Sequence, residues 1–173
     1  QGGTITALAS ATVGSATQGI THSGTGNVFY DSGTGNTLTI AGAVAGGVTN
    51  IATQNGTVAF SNAVTLFDPA NTAANLTVRN NSTVSFLSGA NANVRNIGLG
   101  ENGQGNNSHM SIAAGATVTT TRLVTGDGGS VTSNINQTGG TLNITGTNNA
   151  NNTGSSFLMG HWGGGTSTYN LSG

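Results

Sequence analysis

The chain contains no cysteine, no lysine and one proline among its 173 residues, and arginine supplies only three basic side chains. Without cysteine it forms no disulfide and offers no thiolate to a metal ion. Three scattered arginines make no basic face for phosphates, which argues against a nucleic-acid partner. No run of about 18 apolar residues occurs, which argues against membrane insertion.

What the chain does contain is a small set of short, uncharged residue types. Its 30 glycines, 29 threonines, 23 asparagines and 16 serines account for 98 of the 173 residues, whereas charged residues account for 4%. Disordered segments usually combine low hydrophobicity with charge and proline, and this chain is poor in both. Because aliphatic residues and phenylalanine recur at short intervals, the chain is predicted to order by strand pairing, with side-chain ladders inside.

The apolar residues occur in short runs that alternate with polar residues at a period of two, which is typical of strands with one buried face. Clusters of glycine, asparagine, aspartate and serine separate the runs and favour turns. No stretch has the 3.6-residue apolar period of a helix. An all-β fold is therefore predicted, with strand segments at 4–6, 28–30, 37–40, 48–51, 57–60, 64–67, 76–78, 83–87, 110–112, 117–119, 141–144 and 168–171.

A unit recurs in the C-terminal half of the chain. Residues 97–100 (Ile-Gly-Leu-Gly) are echoed by 123–126 (Leu-Val-Thr-Gly) and again by 157–160 (Phe-Leu-Met-Gly). A second landmark at 115–119 (Gly-Ala-Thr-Val-Thr) is echoed at 139–143 (Gly-Gly-Thr-Leu-Asn). Repeats of this length indicate stacked coils in which each coil contacts only its neighbours, the arrangement of a β-solenoid.

The sequence thus predicts one β-solenoid domain over 1–173, with irregular coils in 1–94 and clearer repeats in 95–173. Residues 139–144 (Gly-Gly-Thr-Leu-Asn-Ile) and 167–173 (Ser-Thr-Tyr-Asn-Leu-Ser-Gly) resemble the strand repeats of autotransporter passenger domains and related long bacterial surface proteins. That resemblance implies a right-handed parallel β-helix displayed outside the cell, and it transfers no catalytic residue. The absence of lysine and of an initial methionine likewise favours export, so an extracellular or cell-surface location is expected.

Both ends of the chain are predicted to present open strand edges, because neither sequence end suggests a helix or polar cap. The chain starts on a predicted strand and stops within a repeat. It stops at the point that corresponds to Gly139, which in the earlier repeat is followed by residues 140–142. Either it is a segment of a longer solenoid, or copies stack head to tail into a homopolymer filament. The predicted contact residues are Gly2, Gly3, Thr4, Ile5, Thr6, Tyr169, Asn170 and Leu171.

The acidic residues are too dispersed for catalysis. Polysaccharide-cleaving β-helices need clustered carboxylates, but Asp31, Asp68, Glu101 and Asp127 are spread along most of the chain. We predict that the protein is not an enzyme and holds no cofactor. Glu101 and Asp127 each directly follow a repeat glycine, so they form a weak candidate for a cation site on one loop face.

The histidines lie in segments rich in glycine, asparagine and serine and are predicted to be solvated loop side chains. His161 and Trp162 are candidate ligand contacts, because a loop that exposes an aromatic ring can bind sugar. The favoured function is a structural component of a bacterial surface fibre built from stacked solenoid units. The alternative is an adhesin or carbohydrate-binding passenger domain that contacts surface glycans through the loops at 101–108 and 160–166.

Overall fold

The computed structural model describes residues 2–23, 26–46, 50–66, 75–100, 107–126, 130–146, 157–160 and 164–173, and these contain strands but no helix. The strands join into one sixteen-stranded sheet. In chain order they are β1 (Gly3–Thr6), β2 (Ala11–Val13), β3 (Ile20–Thr21), β4 (Asn27–Asp31), β5 (Thr37–Ile40), β6 (Val44–Ala45), β7 (Asn50–Phe60), β8 (Ala63–Leu66), β9 (Asn75–Phe86), β10 (Asn91–Leu99), β11 (Asn107–Ala113), β12 (Thr117–Thr125), β13 (Thr132–Thr138), β14 (Thr141–Ile144), β15 (Phe157–Met159) and β16 (Thr166–Ser172).

The sheet coils around three faces, and the strands within each face are parallel. The first face stacks β1, β4, the 50–54 part of β7, the 75–79 part of β9, the 96–99 part of β10, the 122–125 part of β12, and β15. The second face stacks β2, β5, the 56–60 part of β7, the 82–86 part of β9, β11, β13 and β16. The third face stacks β3, β6, β8, the 91–94 part of β10, the 117–120 part of β12, and β14.

This arrangement confirms the predicted parallel β-solenoid. It also confirms the repeat alignment, since Ile97 pairs with Leu123, Leu123 pairs with Phe157, and Thr117 pairs with Thr141. The right-handed sense of the coil stays a prediction, one that the strong preference of parallel crossovers for that hand favours.

The interior is built from columns of aliphatic side chains that continue from coil to coil. On the first face Ile51, Leu76, Ile97 and Leu123 lie in register, and each is at most 1% exposed. Alternation at a period of two directs every second residue inward, so the stacking of equivalent positions produces these columns directly from the sequence pattern.

Three aromatic rings form a separate column inside the first half of the coil. The ring centroids of Tyr30 and Phe60 are 6.3 Å apart, and those of Phe60 and Phe86 are 5.9 Å apart with the rings stacked. All three side chains are fully buried. Rings at these distances attract one another beyond the effect of the apolar area that they bury.

Asp31 fixes the corner between the first and second faces. Its carboxylate accepts hydrogen bonds from the backbone N–H of Gly33 at 2.9 Å, from Nε2 of Gln54 at 3.1 Å and from Nδ2 of Asn55 at 3.0 Å. Two of these donors come from the following coil. The carboxylate therefore ties neighbouring coils together at the turn and has a structural use.

Most of the predicted strand segments are confirmed, with small differences at their ends. Leu87 lies just past the end of β9, whereas Val48 and Phe67 lie outside the described residues. The prediction omitted the short strands β2, β3 and β6, which offer too few residues for a period to show. It also omitted β10 and β15 as strands, although the repeat units at 97–100 and 157–160 overlap them, and it omitted β13, because Ile135 is the only apolar residue of that strand.

Candidate subunit interface at the ends of the coil

The outermost strands of the coil each pair on one side only. Among the described residues, β1, β2 and β3 form one such edge, called here the N-terminal end. The strands β14, β15 and β16 form the other edge, called the C-terminal end. Parallel edge strands present rows of backbone N–H and C=O groups that can pair with a further strand.

The structure places the predicted contact residues on these two ends. Gly3 to Thr6 form β1 on the first face, directly preceded by Gly2, whereas Tyr169, Asn170 and Leu171 lie in β16 on the second face. The two groups are therefore at opposite ends of the coil and on different faces. The sequence pattern alone does not distinguish the faces.

The N-terminal end carries a cavity. The cavity has a volume of about 340 Å³ and is lined by Gly3, Thr4, Ile5, Thr21, His22, Ser23, Gly26 and Val28. Ile5 and Val28 pack against the hydrophobic core at its N-terminal end and are only partly buried. The core therefore ends in a hollow that an apolar side chain from outside could enter.

His22 and Tyr30 form a hydrogen-bonded pair at the floor of this end. Nε2 of His22 lies 2.7 Å from the hydroxyl oxygen of Tyr30, and the ring centroids are 5.9 Å apart. Burial raises the pKa of the fully buried Tyr30 well above its usual range and lowers the pKa of His22. The prediction that His22 is a solvated loop side chain is wrong. Nothing in the glycine-rich residues around His22 indicated its hydrogen-bond partner, Tyr30, eight residues away.

His109 is also partly buried, and burial lowers its pKa as well. A histidine whose folded-state pKa lies below the ordinary value of 6.5 binds fewer protons in the folded chain than in the unfolded chain. We therefore expect stability to be greatest above pH 6.5 and to fall as the pH drops through 6.5 and then through the lower folded-state pKa values. Thermal unfolding at about pH 7.5 and about pH 5 measures this change.

The double variant His22→Gln, His109→Gln is the control for this pH dependence. It removes both titrating groups and keeps a polar side chain at each position, so its melting temperature is expected to change much less over the same interval. An unchanged pH slope in that variant would refute the assignment of the effect to these two histidines.

The C-terminal end exposes apolar side chains. Leu171 is 68% exposed and Met159 is 42% exposed. The rings of Phe157 and Tyr169 meet edge to face with centroids 6.2 Å apart, and the hydroxyl of Tyr169 donates a hydrogen bond to Oε1 of Gln137. This end therefore combines an ordered aromatic pair with a largely exposed leucine.

Neither end carries a formal charge on its strands. The sequences of β1, β2 and β3 and of β14, β15 and β16 contain no acidic or basic residue. Pairing between these six strands would therefore meet no charge repulsion between their own side chains.

The remaining predicted site residues are the two candidate cation ligands and the two candidate ligand contacts. Glu101, Asp127, His161 and Trp162 lie outside the described residues. Among the described residues, no group of three or more potential metal-binding side chains comes together. The alternative adhesive function depends on loops whose residues lie mostly outside the described part of the chain, so it stays a prediction.

An asparagine ladder at the start of the first-face strands was missed. Asn27, Asn50, Asn75 and Asn96 lie in register, and Nδ2 of Asn50 donates to Oδ1 of Asn27 at 3.1 Å. The available signal was an asparagine placed directly before an aliphatic residue of each strand. The bond between Asn50 and Asn27 favours this register of their two coils, because a shift by one residue would separate the amides.

No protein-family model, no curated protein and no solved structure matches this chain. Within the described ranges, no helix is long and apolar enough to cross a membrane. The structural class of the protein is therefore assigned from its own geometry, which is that of a β-solenoid compatible with strand-repeat proteins.

Proposed function

We propose that this protein is a structural component of a bacterial extracellular fibre, built by end-to-end stacking of β-solenoid units. The observation that carries the proposal is a pair of ends whose strands carry no formal charge, one end with a cavity and the other with an exposed leucine. Each end also has parallel strands that pair on one side only among the described residues. A heterologous contact between unlike ends repeats without closing and so generates a filament.

The mechanism of such a fibre is mechanical. Stacking would extend the backbone ladder from one subunit to the next and would continue the buried aliphatic columns across the junction. Burying a side chain such as Leu171 contributes about 1.5 to 3 kcal/mol, to which the newly paired backbone groups add. The junction would then be held by the same interactions as the coil itself.

The extracellular location belongs to the same proposal. It is supported by the scarcity of charge, the absence of lysine and cysteine, and the resemblance of 139–144 and 167–173 to the repeats of autotransporter passenger domains. Outward side chains of the third face, among them Thr65, Asn93 and Asn143, are small, uncharged and exposed. A surface of this kind suits a fibre exposed to solvent along its length.

The variant Leu171→Lys tests the stacking. A lysine at this inward-facing position of the C-terminal end would place a charge inside the junction, where burial without a partner is costly. We expect sedimentation velocity to show long polymers for the parent chain and monomers for the variant. Because Leu171 is already 68% exposed, the folded subunit is expected to tolerate the change.

Asn93→Lys is the matched control, since Asn93 is exposed on the outside of the third face and away from both ends. It adds the same charge and is expected to leave the polymers intact. Polymers in Leu171→Lys, or monomers in the parent chain at every concentration, would refute the proposed function.

A further inference from the structure

The three faces of the coil do not hold equal numbers of strands. Among the described residues the first and second faces each hold seven strand positions, whereas the third face holds six. The chain follows the faces in the order first, second, third, and β16 is on the second face. After the described strands, the next position of the coil therefore lies on the third face, against the edge of β14 that has no partner among the described residues.

We propose that β1 of one copy fills this position by pairing with β14 of the preceding copy, so that β2 follows on β15 and β3 on β16. This inference rests on the proposed end-to-end stacking and adds the relative orientation of the subunits. Each subunit is rotated by one face with respect to the subunit before it. The first face of one copy continues the third face of the other.

Continuity of the coil favours the rotated contact. If β1 stacked instead on β15, which shares its own face, β3 would lie one coil further along the axis and the position directly above β14 would stay empty. The edge of β14 would then be buried without a strand beside it, and buried backbone groups without partners are costly. The rotated contact leaves no such gap, because all three edges receive a strand in succession.

The inward and outward positions also match in the rotated contact. In β1 the inward residue is Ile5, and in β14 the inward residues are Leu142 and Ile144, all packed against the core. Two registers direct Ile5 inward, with Thr4 beside either Thr141 or Asn143. The strand lengths agree for two of the three pairs, since β1 and β14 have four residues each and β2 and β15 have three each, whereas β3 has two residues and β16 has seven.

The hollow N-terminal end then receives the exposed residue of the C-terminal end. When β3 pairs with β16 and Ile20 lies beside Tyr169, alternation brings His22 opposite Leu171. His22 lines the cavity of about 340 Å³, and Leu171 is the most exposed large apolar residue of the C-terminal end. The contact would thus place the exposed side chain of Leu171 at the cavity of the next copy.

Cysteine pairs test the orientation, because the chain has no cysteine of its own. Neighbouring parallel strands place paired Cα atoms about 4.8 Å apart, within the range that a disulfide spans. Three double variants share Thr4→Cys and combine it with Thr141→Cys, with Asn143→Cys or with Leu158→Cys. The first two report the rotated contact in its two registers, and the third reports the unrotated contact, in which Thr4 continues the column of Leu158.

After mild oxidation of the polymers, we expect a ladder of covalent multimers on a non-reducing gel for one of the first two variants and none for Leu158→Cys. A ladder for Leu158→Cys would overturn the rotation while leaving the end-to-end fibre in place. Polymers that form no ladder in any variant would also overturn this contact. Monomers in the parent chain would instead refute the proposed function on which the inference rests.

Discussion

Replacing Phe60 with alanine is expected to lower the free energy of unfolding by about 3 to 5 kcal/mol. Phe60 is fully buried between Tyr30 and Phe86, so truncation removes two ring contacts and opens a cavity in the middle of the aromatic column. In a solenoid each coil is supported only by its neighbours. The neighbouring coils cannot move closer to fill the cavity, because the backbone ladders on both sides hold them at fixed spacing.

Chemical denaturation followed by circular dichroism measures this loss. Phe29→Ala is the matched control, since Phe29 is half-buried on the outside of the coil, where the guanidinium carbon of Arg79 lies 5.5 Å from its ring centroid. The same atoms are removed there without a core cavity, and we expect a loss of about 1 kcal/mol. Equal losses for the two variants would contradict the assignment of Phe60 to the core.

Replacing Gly56 with alanine is expected to cost about 2 to 5 kcal/mol, for two reasons that add. Gly56 has a φ of 90°, which an L-residue adopts only with strain. A Cβ atom there would also lie 2.2 Å from the carbonyl oxygen of Gly33 in the preceding coil. Because that oxygen belongs to the backbone, the overlap can be relieved only by separating the two coils at this corner.

Gly35→Ala isolates the second reason. Gly35 has a φ of 78°, but a Cβ there would meet no atom within 4 Å. Only the conformational strain remains, and a loss of about 1 to 2 kcal/mol is expected. Thermal and denaturant unfolding of both variants give the difference. If Gly56→Ala were no worse than Gly35→Ala, the close stacking of successive corners would be contradicted.

Much of the fold could be predicted from local pattern. The alternation in 37–40 and 117–119 places Leu38, Ile40 and Val118 inside, and all three are buried. The recurrence of the unit at 97–100 aligned it with 123–126, because stacked coils repeat the same inward positions. These features depend on residues near in sequence or on direct repetition, and both are visible in a single chain.

Features that depend on which strands share a face could not be predicted. The pair formed by His22 and Tyr30 joins the third face to the first, and no spacing rule links a two-residue strand to a strand around a corner. The identity of the last described strand on each face, which is β14 on the third, depends in the same way on assigning every strand to a face. The structure places the predicted contact residues on strands that pair on one side only among the described residues, and assigning those strands to faces required the structure.

Electron cryo-microscopy of the chain at high concentration, with helical reconstruction, tests end-to-end stacking most directly. We expect unbranched filaments whose strands run across the axis with a spacing of about 4.8 Å, a subunit rise of about 32 Å and a rotation of about a third of a turn, added to the twist of the coil. Discrete single subunits at every concentration, or filaments whose strands run along the axis, would contradict the account.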